Sequence, residues 1–235
     1  MNRRFDGMLS EMRRPLSVIL LAFVIAGATG AQDEDAAALL GKAESFASST
    51  KNWRAEVVQA SQLSGHGMDL KEELHIMIAA QTPLKMRREN SGDDPTILVC
   101  DGVDFFYSGD RHSYYKGSAK VNPDCNFPLS AFYKLRNDPA SVSIVGHDHV
   151  LLANGDYTCD VVRAEWKIAA TNVVRTMCIV PTSGLILRDV AVSENANART
   201  VATTTFTSYE SDPILPPDTF KFSIPPGAKE AKSPI

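Results

Sequence analysis

Alternation of apolar and polar residues with a period of two runs through most of this chain, and this pattern limits the fold to a β-sheet. Parallel strands would need a helix between successive strands, and the chain lacks such helices. We therefore predict an α+β fold in which about 10–11 strands form one antiparallel sheet with helices on one side. The alternating stretches, separated by turn residues, are 53–61, 70–78, 84–89, 96–108, 113–117, 141–152, 156–166, 172–180, 185–193 and 199–209.

Three further segments complete the predicted fold. Residues 33–50 form an Ala- and Leu-rich stretch that begins with acidic residues, which favours a helix. A second, shorter helix is expected over 128–138, with Pro128 in its first turn. The tail at 215–227 alternates between two proline pairs, which suits an edge strand.

The N-terminus has the order of a secretory signal. Four arginines precede an apolar run at 16–28, and small residues follow before an acidic stretch. We predict a signal peptide at 1–31 that is cleaved on export, followed by one domain at 32–235. An uncleaved anchor is the alternative, although the run is shorter than the about 20 residues that span a membrane. Translation could begin at Met1 or at Met12.

Composition excludes some partners. After removal of 31 residues, 204 remain, with 20 basic and 26 acidic side chains and therefore a net charge of −6. Phosphate backbones are bound by clustered Lys and Arg, and the mature chain contains no basic run. We expect no nucleic-acid partner.

The four cysteines indicate disulfides, because an even number in an exported chain is typical of a disulfide framework. Three pairings are possible. Cys159 and Cys178 would face each other if 156–166 and 172–180 form a hairpin that turns near Ala169. Cys100 and Cys125 bracket an aromatic stretch and would form the second bridge.

Motifs for catalysis are scarce. The chain has no GxSxG elbow and no GxGxxG or GxxxxGK phosphate loop. His147 and His149 would lie on one face of a strand, a spacing that zinc can use, but no further ligand motif accompanies them. We interpret both as solvent-facing histidines beside a turn, and Asp148 as a turn or edge residue. We expect no enzymatic activity, no metal and no cofactor.

The aromatic stretch at 99–116 is the most unusual segment. In a strand, Val103, Phe105 and Tyr107 would point to one face and Phe106 to the other. Both faces of such a hairpin need cover. Ordinary core and the lining of a cavity are both possible, and in a strongly curved sheet the two interpretations overlap.

Three motifs in order resemble the LolA-like superfamily of outer-membrane lipoprotein carriers and related envelope proteins. They are "PLKMRRENSGDDPTILVCDGVDFFYSGD", "PTSGLILRDV" and the closing "DTFKFSIPPGAK". This resemblance covers roughly residues 36 to 230. It implies a strongly curved antiparallel sheet, an unclosed half-barrel, whose concave face is covered by helices.

The resemblance also implies an apolar cavity for acyl chains between the sheet and the helices. An arginine that helps to hold the lid closed in such carriers corresponds here to Thr82, before Pro83, so this chain departs from that pattern. The residues we expect to line the cavity are Leu74, Ile76, Leu84, Met86, Phe105, Tyr107, Phe132 and Leu135.

Two functions follow as hypotheses, and a third, an enzyme, would depend on His147 and His149 alone, with bound zinc as its first sign. The first is a monomeric, non-enzymatic periplasmic protein that binds a lipid or an acylated lipoprotein and releases it by opening its helical cover or by docking to an inner- or outer-membrane protein. The second is an envelope-stress sensor or scaffold that binds a protein partner through its sheet.

Overall fold

Twelve strands form one sheet in the computed structural model, which describes residues 25–65, 67–92, 95–109, 112–126 and 139–232. The predicted α+β class and the antiparallel half-barrel are confirmed, with one or two more strands than expected. The elements are α1 (Ile25–Ser49), β1 (Asn52–Gly65), β2 (Met68–Gln81), β3 (Lys85–Ser91), β4 (Thr96–Asp101), β5 (Asp104–Ser108), β6 (Ser113–Ser118), a 3₁₀ turn (Ala119–Val121), α2 (Pro123–Asn126), β7 (Ser141–Leu152), β8 (Gly155–Ile168), β9 (Thr171–Ile179), β10 (Ile186–Glu194), β11 (Ala198–Ser211) and β12 (Lys229–Ala231).

The sheet consists of two meanders joined by one long ladder. Its strand order is β12-β6-β5-β4-β3-β2-β1-β11-β10-β9-β8-β7. Strands β1 to β6 pair consecutively, as do β7 to β11, and β1 pairs with β11 from Trp53↔Ser211 to Gly65↔Ala198. All pairs are antiparallel except β12 with β6. Since β7 and β12 lie at opposite ends of this order, the sheet is not closed.

A β-bulge lets the sheet coil at one end. Glu56 pairs with Ser208 and Val57 with Phe206, so Thr207 is an extra residue in β11. The Thr207 carbonyl accepts a hydrogen bond from the Ala153 N–H at the tip of the β7–β8 hairpin, at 2.9 Å. The far hairpin is thereby fixed to the middle of the sheet, and apolar side chains from both meanders meet on the inner face.

Helix α1 covers only part of that inner face. Ala36, Leu39, Leu40 and Ala43 are buried against strands β8 to β10. The predicted helix at 33–50 is therefore confirmed, although α1 extends back to Ile25. No helix among the described residues is both long and apolar enough to cross a membrane. The second predicted helix, at 128–138, lies outside the described residues.

Three sequence predictions about the strands were wrong. Residues 96–108 form two strands rather than one, because the Asp101 carboxylate accepts hydrogen bonds from the N–H groups of Val103 and Asp104, both at 2.8 Å, and folds the chain into a turn. Val103 lies in that turn, 70% exposed, and does not share a face with Phe105 and Tyr107.

The tail at 215–227 is irregular rather than an edge strand. Turns occupy it, with Thr219 N–H bonded to the Pro216 carbonyl and Lys221 N–H to Asp218, each at 3.0 Å. Prolines cannot donate to a ladder, so pairing resumes only after them, in β12. The segment crosses the outer face of the sheet, where Phe222 stacks on Phe106 at 5.1 Å between ring centroids.

The third error concerns the register of the β8–β9 hairpin. Its turn has two residues, with Ile168 opposite Thr171 and Ala169 at a φ of 52°. Cys178 therefore lies opposite Val161 rather than Cys159. The bridge between Cys159 and Cys178 still forms, diagonally, with 5.3 Å between Cα atoms. The Cys100–Cys125 bridge is confirmed as well.

The close approach of α1 to the turn before β10 generates a stability prediction. Gly184 has a φ of +82°, and a Cβ there would lie 2.5 Å from the Lys42 carbonyl oxygen of α1. Gly184→Ala should lower the free energy of unfolding by about 3 kcal/mol or more, because it combines left-handed strain with displacement of the helix. Chemical denaturation measures this change.

Gly227→Ala is the matched control. Gly227 has the same left-handed conformation, with a φ of +81°, but no atom lies within 4 Å of a Cβ built there. It should cost only the strain, about 1–2 kcal/mol. Equal losses in the two variants would show that the contact between Gly184 and Lys42 does not position α1.

Candidate functional site: the inner face of the sheet

The predicted cavity residues fall into two separate groups on the inner face. Ile76 is buried and Leu74 partly buried in the core cluster that also contains Trp53 and Tyr209. Leu84, Met86, Phe105 and Tyr107 belong to a second cluster around the Cys100–Cys125 bridge, in which Met86 is fully buried. Phe132 and Leu135 lie outside the described residues. The structure does not bring these residues together as one lining.

Two pairs of adjacent aromatic residues, Phe105–Phe106 and Tyr114–Tyr115, each place one ring on either face of the sheet. Phe105 and Tyr115 contact each other at 5.6 Å on the inner face. Phe106 and Tyr114 both contact Phe222 on the outer face, at 5.1 and 5.8 Å. The hairpin is therefore packed on both faces, and the outer rings are covered by the chain's own C-terminal segment.

The His147–His149 segment forms ion pairs and hydrogen bonds on the edge strand β7. His147 Nδ1 lies 2.7 Å from Asp160 Oδ1, and Asp148 pairs with Arg188. The hydrogen bond from Arg188, aided by the N–H of His149, lowers the pKa of Asp148. In the described part of the chain, no group of three or more His, Cys, Asp or Glu side chains is arranged to hold a metal ion.

Between the two core clusters the inner face carries an open cavity of about 410 Å³. Two small side chains lie side by side on its floor, because Ala191 on β10 is directly opposite Ala202 on β11. Gln59 on β1 and Thr204 on β11, which also pair with each other, line it as well. Val57 and Ile76 continue the apolar surface towards β2. A volume of this size lies within the range of ligand pockets.

Charged groups form the two walls of this cavity. On β9 and β10, Arg175 binds Asp189 through Nε and Nη2, the shortest contact being 2.8 Å, and only 11% and 7% of these side chains are exposed. Burial raises the pKa of Asp189, and Arg175 opposes that shift. On the other side, Arg88 of β3 reaches Asp124 of α2 through a single contact of 3.2 Å.

These wall residues were missed by the sequence interpretation, although the sequence holds a signal for two of them. In 172–180 the alternation places Arg175 on the same face as Val173 and Met177, and in 185–193 it places Asp189 with Leu187. A charge on the apolar face of a strand indicates a buried pair. Ala191 and Ala202 give no such signal, since small residues are common on either face.

Two other cavities have different surroundings. One, of about 510 Å³, lies at the C-terminal end of α1 and is lined by Phe46, Tyr157 and Tyr209 together with many polar groups. Burial raises the pKa of Tyr209 to about 12. The other, of about 480 Å³, lies on the outer face among the ion pairs of Arg54 with Glu210 and Arg87 with Glu89. Arg87 also donates to the carbonyls of Thr219 and Lys221 in the C-terminal segment.

The buried ion pair of the cavity wall yields a prediction. Arg175→Met leaves the Asp189 carboxylate buried without its cation, which should lower the free energy of unfolding by about 3–5 kcal/mol near neutral pH. The loss should be smaller at about pH 4. Burial raises the pKa of Asp189, so at that pH the folded variant keeps the carboxyl group protonated and no buried charge is left unpaired.

The double variant Arg175→Met with Asp189→Leu is the control for this pair. It replaces both charges with apolar groups and should recover most of the lost stability. Denaturant unfolding at the two pH values measures all three variants. A single variant as stable as the double one at neutral pH would contradict the pairing.

No protein-family model and no curated protein sequence matches the chain. Its fold is similar to several solved structures. The complex of MucA and MucB from Pseudomonas aeruginosa matches with a TM-score of 0.47 and 13% identity, over 80% of this chain and 61% of that chain. A LolA superfamily protein from Nitrosomonas europaea matches with a TM-score of 0.37 and 9% identity, over 80% and 97%.

A structure of MucB alone matches with a TM-score of 0.45 and 12% identity, and this chain spans 64% of its length. A putative outer-membrane lipoprotein-sorting domain from Vibrio parahaemolyticus matches with a TM-score of 0.31 and 8% identity. These similarities concern the fold alone, and function has to be argued from this chain's own residues. The protein from Nitrosomonas europaea is described as a member of the LolA superfamily, which the three sequence motifs also resemble.

Proposed function

We propose that this protein is a non-enzymatic binding protein of the periplasm that takes up acyl chains of a lipid or an acylated lipoprotein on the inner face of its sheet. The binding domain comprises residues 32–235, after export and removal of residues 1–31, and acts as a monomer. Release of the ligand requires movement of the helical cover or docking to a protein of the inner or outer membrane.

The observation that carries this proposal is the inner-face cavity whose lining includes Val57, Ile76, Ala191 and Ala202. Val57 and Ile76 belong to the core cluster around Trp53 and Tyr209. The alanines at 191 and 202 leave space between that cluster and the charged walls. Each methylene buried there contributes about 0.8 kcal/mol, so a few acyl carbons suffice for useful affinity.

The other cavities fit an acyl chain less well. The outer-face cavity is surrounded by side chains that are paired with one another and lies beside the C-terminal segment. The cavity at the end of α1 is bordered by serine, threonine and lysine side chains and by Asp212. An acyl chain in the inner-face cavity would contact the apolar side chains of Val57, Ile76, Ala191 and Ala202, between the charged walls.

Export is supported by the cysteines. All four form disulfides, Cys100–Cys125 and Cys159–Cys178, and both bridges lie in the buried core. Disulfides persist in oxidising compartments such as the periplasm. Together with the N-terminal apolar run, the bridges favour a protein that folds after export.

A second candidate function, binding of a protein partner through the sheet, is favoured by the edge strand β7. Among the described residues β7 pairs with β8 on one side and with no strand on the other. Val145 and Leu151 on this strand are 54% and 82% exposed. An extended segment of a partner could add to this edge by backbone hydrogen bonds.

Filling the cavity tests the first function. Ala202→Phe places a ring on the cavity floor and should weaken the binding of a fluorescent fatty acid by about tenfold or more. Thr203→Phe is the matched control, because residue 203 is next to Ala202 on the same strand and points to the opposite face of the sheet. Fluorescence titration measures both variants, with circular dichroism to verify their folds.

The unmodified protein provides the reference for this comparison. It should bind the fatty acid, and mass spectrometry should detect an acylated molecule extracted from protein purified from its native periplasm. If the purified protein contains no acylated molecule and does not bind the fluorescent fatty acid, the acyl-binding proposal is wrong and the partner-binding function replaces it.

A further inference from the structure

One buried side-chain oxygen on the inner face lacks a hydrogen-bond partner among the residues that the structure describes. It belongs to Asn90 on β3. Asn90 lies directly opposite Ile76 and lines the 410 Å³ cavity together with Arg88. Buried polar atoms in folded proteins are almost always hydrogen-bonded, so an unpaired acceptor on a side chain that lines a cavity indicates a missing donor.

The surrounding charges are already balanced. Arg175 and Asp189 form a tight bidentate pair on one wall, and Arg88 and Asp124 form a pair on the other. The four groups sum to zero charge. Among the described residues that line the cavity, a charged headgroup would find no uncompensated opposite charge, whereas a neutral polar group needs none.

Arg88 and Asn90 are spaced for one small polar group. They are two residues apart on the same face of β3, about 7 Å along the strand. The contact from Arg88 to Asp124 is single and, at 3.2 Å, longer than the about 2.7–2.9 Å usual for charged pairs. The guanidinium can therefore also donate to a carbonyl placed between it and Asn90, while the Asn90 oxygen accepts from a donor on the same group.

We propose that Arg88 and Asn90 form a polar subsite that recognises an amide next to the ligand's acyl chain, so that N-acylated ligands are preferred over acyl esters. The amide carbonyl accepts from Arg88, and its N–H donates to the Asn90 side-chain oxygen. An ester offers the same carbonyl but no donor, and it leaves the Asn90 oxygen buried without a partner. This inference rests on the proposed function and adds to it the chemical class of the ligand.

A pair of matched ligands tests the subsite. N-methylhexadecanamide and methyl hexadecanoate have the same chain and shape and differ in one N–H. Displacement of a fluorescent fatty acid from the purified protein should show the amide binding about tenfold more tightly, as expected for one hydrogen bond to a buried acceptor. Asn90→Leu should reduce that ratio to about one by weakening amide binding.

A second readout does not depend on a ligand. Because Asn90→Leu removes an unpaired buried acceptor, it should raise the thermal midpoint of the ligand-free protein. A lowered midpoint would show that the Asn90 side chain has a structural partner, and would overturn the subsite.

The outcomes separate the subsite from the proposed function. If amide and ester bind equally, and Ala202→Phe abolishes both, the cavity is the acyl site and the subsite is wrong. If the fluorescent fatty acid binds but neither ligand displaces it, the subsite is wrong and the acyl-binding function stands. If the fatty acid itself does not bind, both proposals fail. A preference for the amide that persists in Asn90→Leu would also overturn the assignment to Asn90.

Discussion

The pairing of β1 with β11 is the constraint on which the rest of this structure depends. These two strands are separated by more than 130 residues, and their ladder joins the two meanders into one sheet. It also brings Trp53 and Ile76 of the first meander into one core cluster with Phe206 of the second. The Thr207 carbonyl, at the bulge in the same ladder, accepts a hydrogen bond from the tip of the β7–β8 hairpin and fixes that hairpin to the ladder.

Coiling without closure explains why the inner face contains both core and cavity. Trp53, Phe206 and Tyr209 fill the end where the hairpin folds back, and α1 fills the surface of β8 to β10. Between these regions the small residues Ala191 and Ala202 leave space. Maintaining charged pairs beside such a space costs desolvation energy, and a packed apolar core would be more stable. Under the proposed function, the polar walls are part of the binding site.

Strand positions were predictable from the sequence because successive side chains of a strand point to opposite faces, which produces the alternation of apolar and polar residues. Register and turns were harder. Ala169 adopts a left-handed conformation that alanine rarely takes. The resulting two-residue turn places Cys178 opposite Val161, whereas the predicted register placed it opposite Cys159. The prolines near 216 and 225 are visible in the sequence. The sequence does not show that the segment between them leaves the sheet edge and that its Phe222 stacks on Phe106.

The candidate site was less predictable than the fold. Large apolar residues such as Met86 attract attention in a sequence, yet they pack tightly here. The cavity instead arises from small residues on strands that are far apart in the chain, and from Asn90, whose missing partner is visible only in three dimensions. Arg175 could have been found, since it interrupts an apolar face.

The most direct measurement of the central claim is photo-crosslinking of a fatty acid that carries a diazirine on its chain, followed by mapping of the labelled peptides. The inner-face site predicts labels on the segments around Ala191 in β10 and Ala202 in β11, and loss of those labels when unlabelled fatty acid is added in excess. Labels confined to the outer face around Met77, or to the exposed edge of β7, would contradict the account.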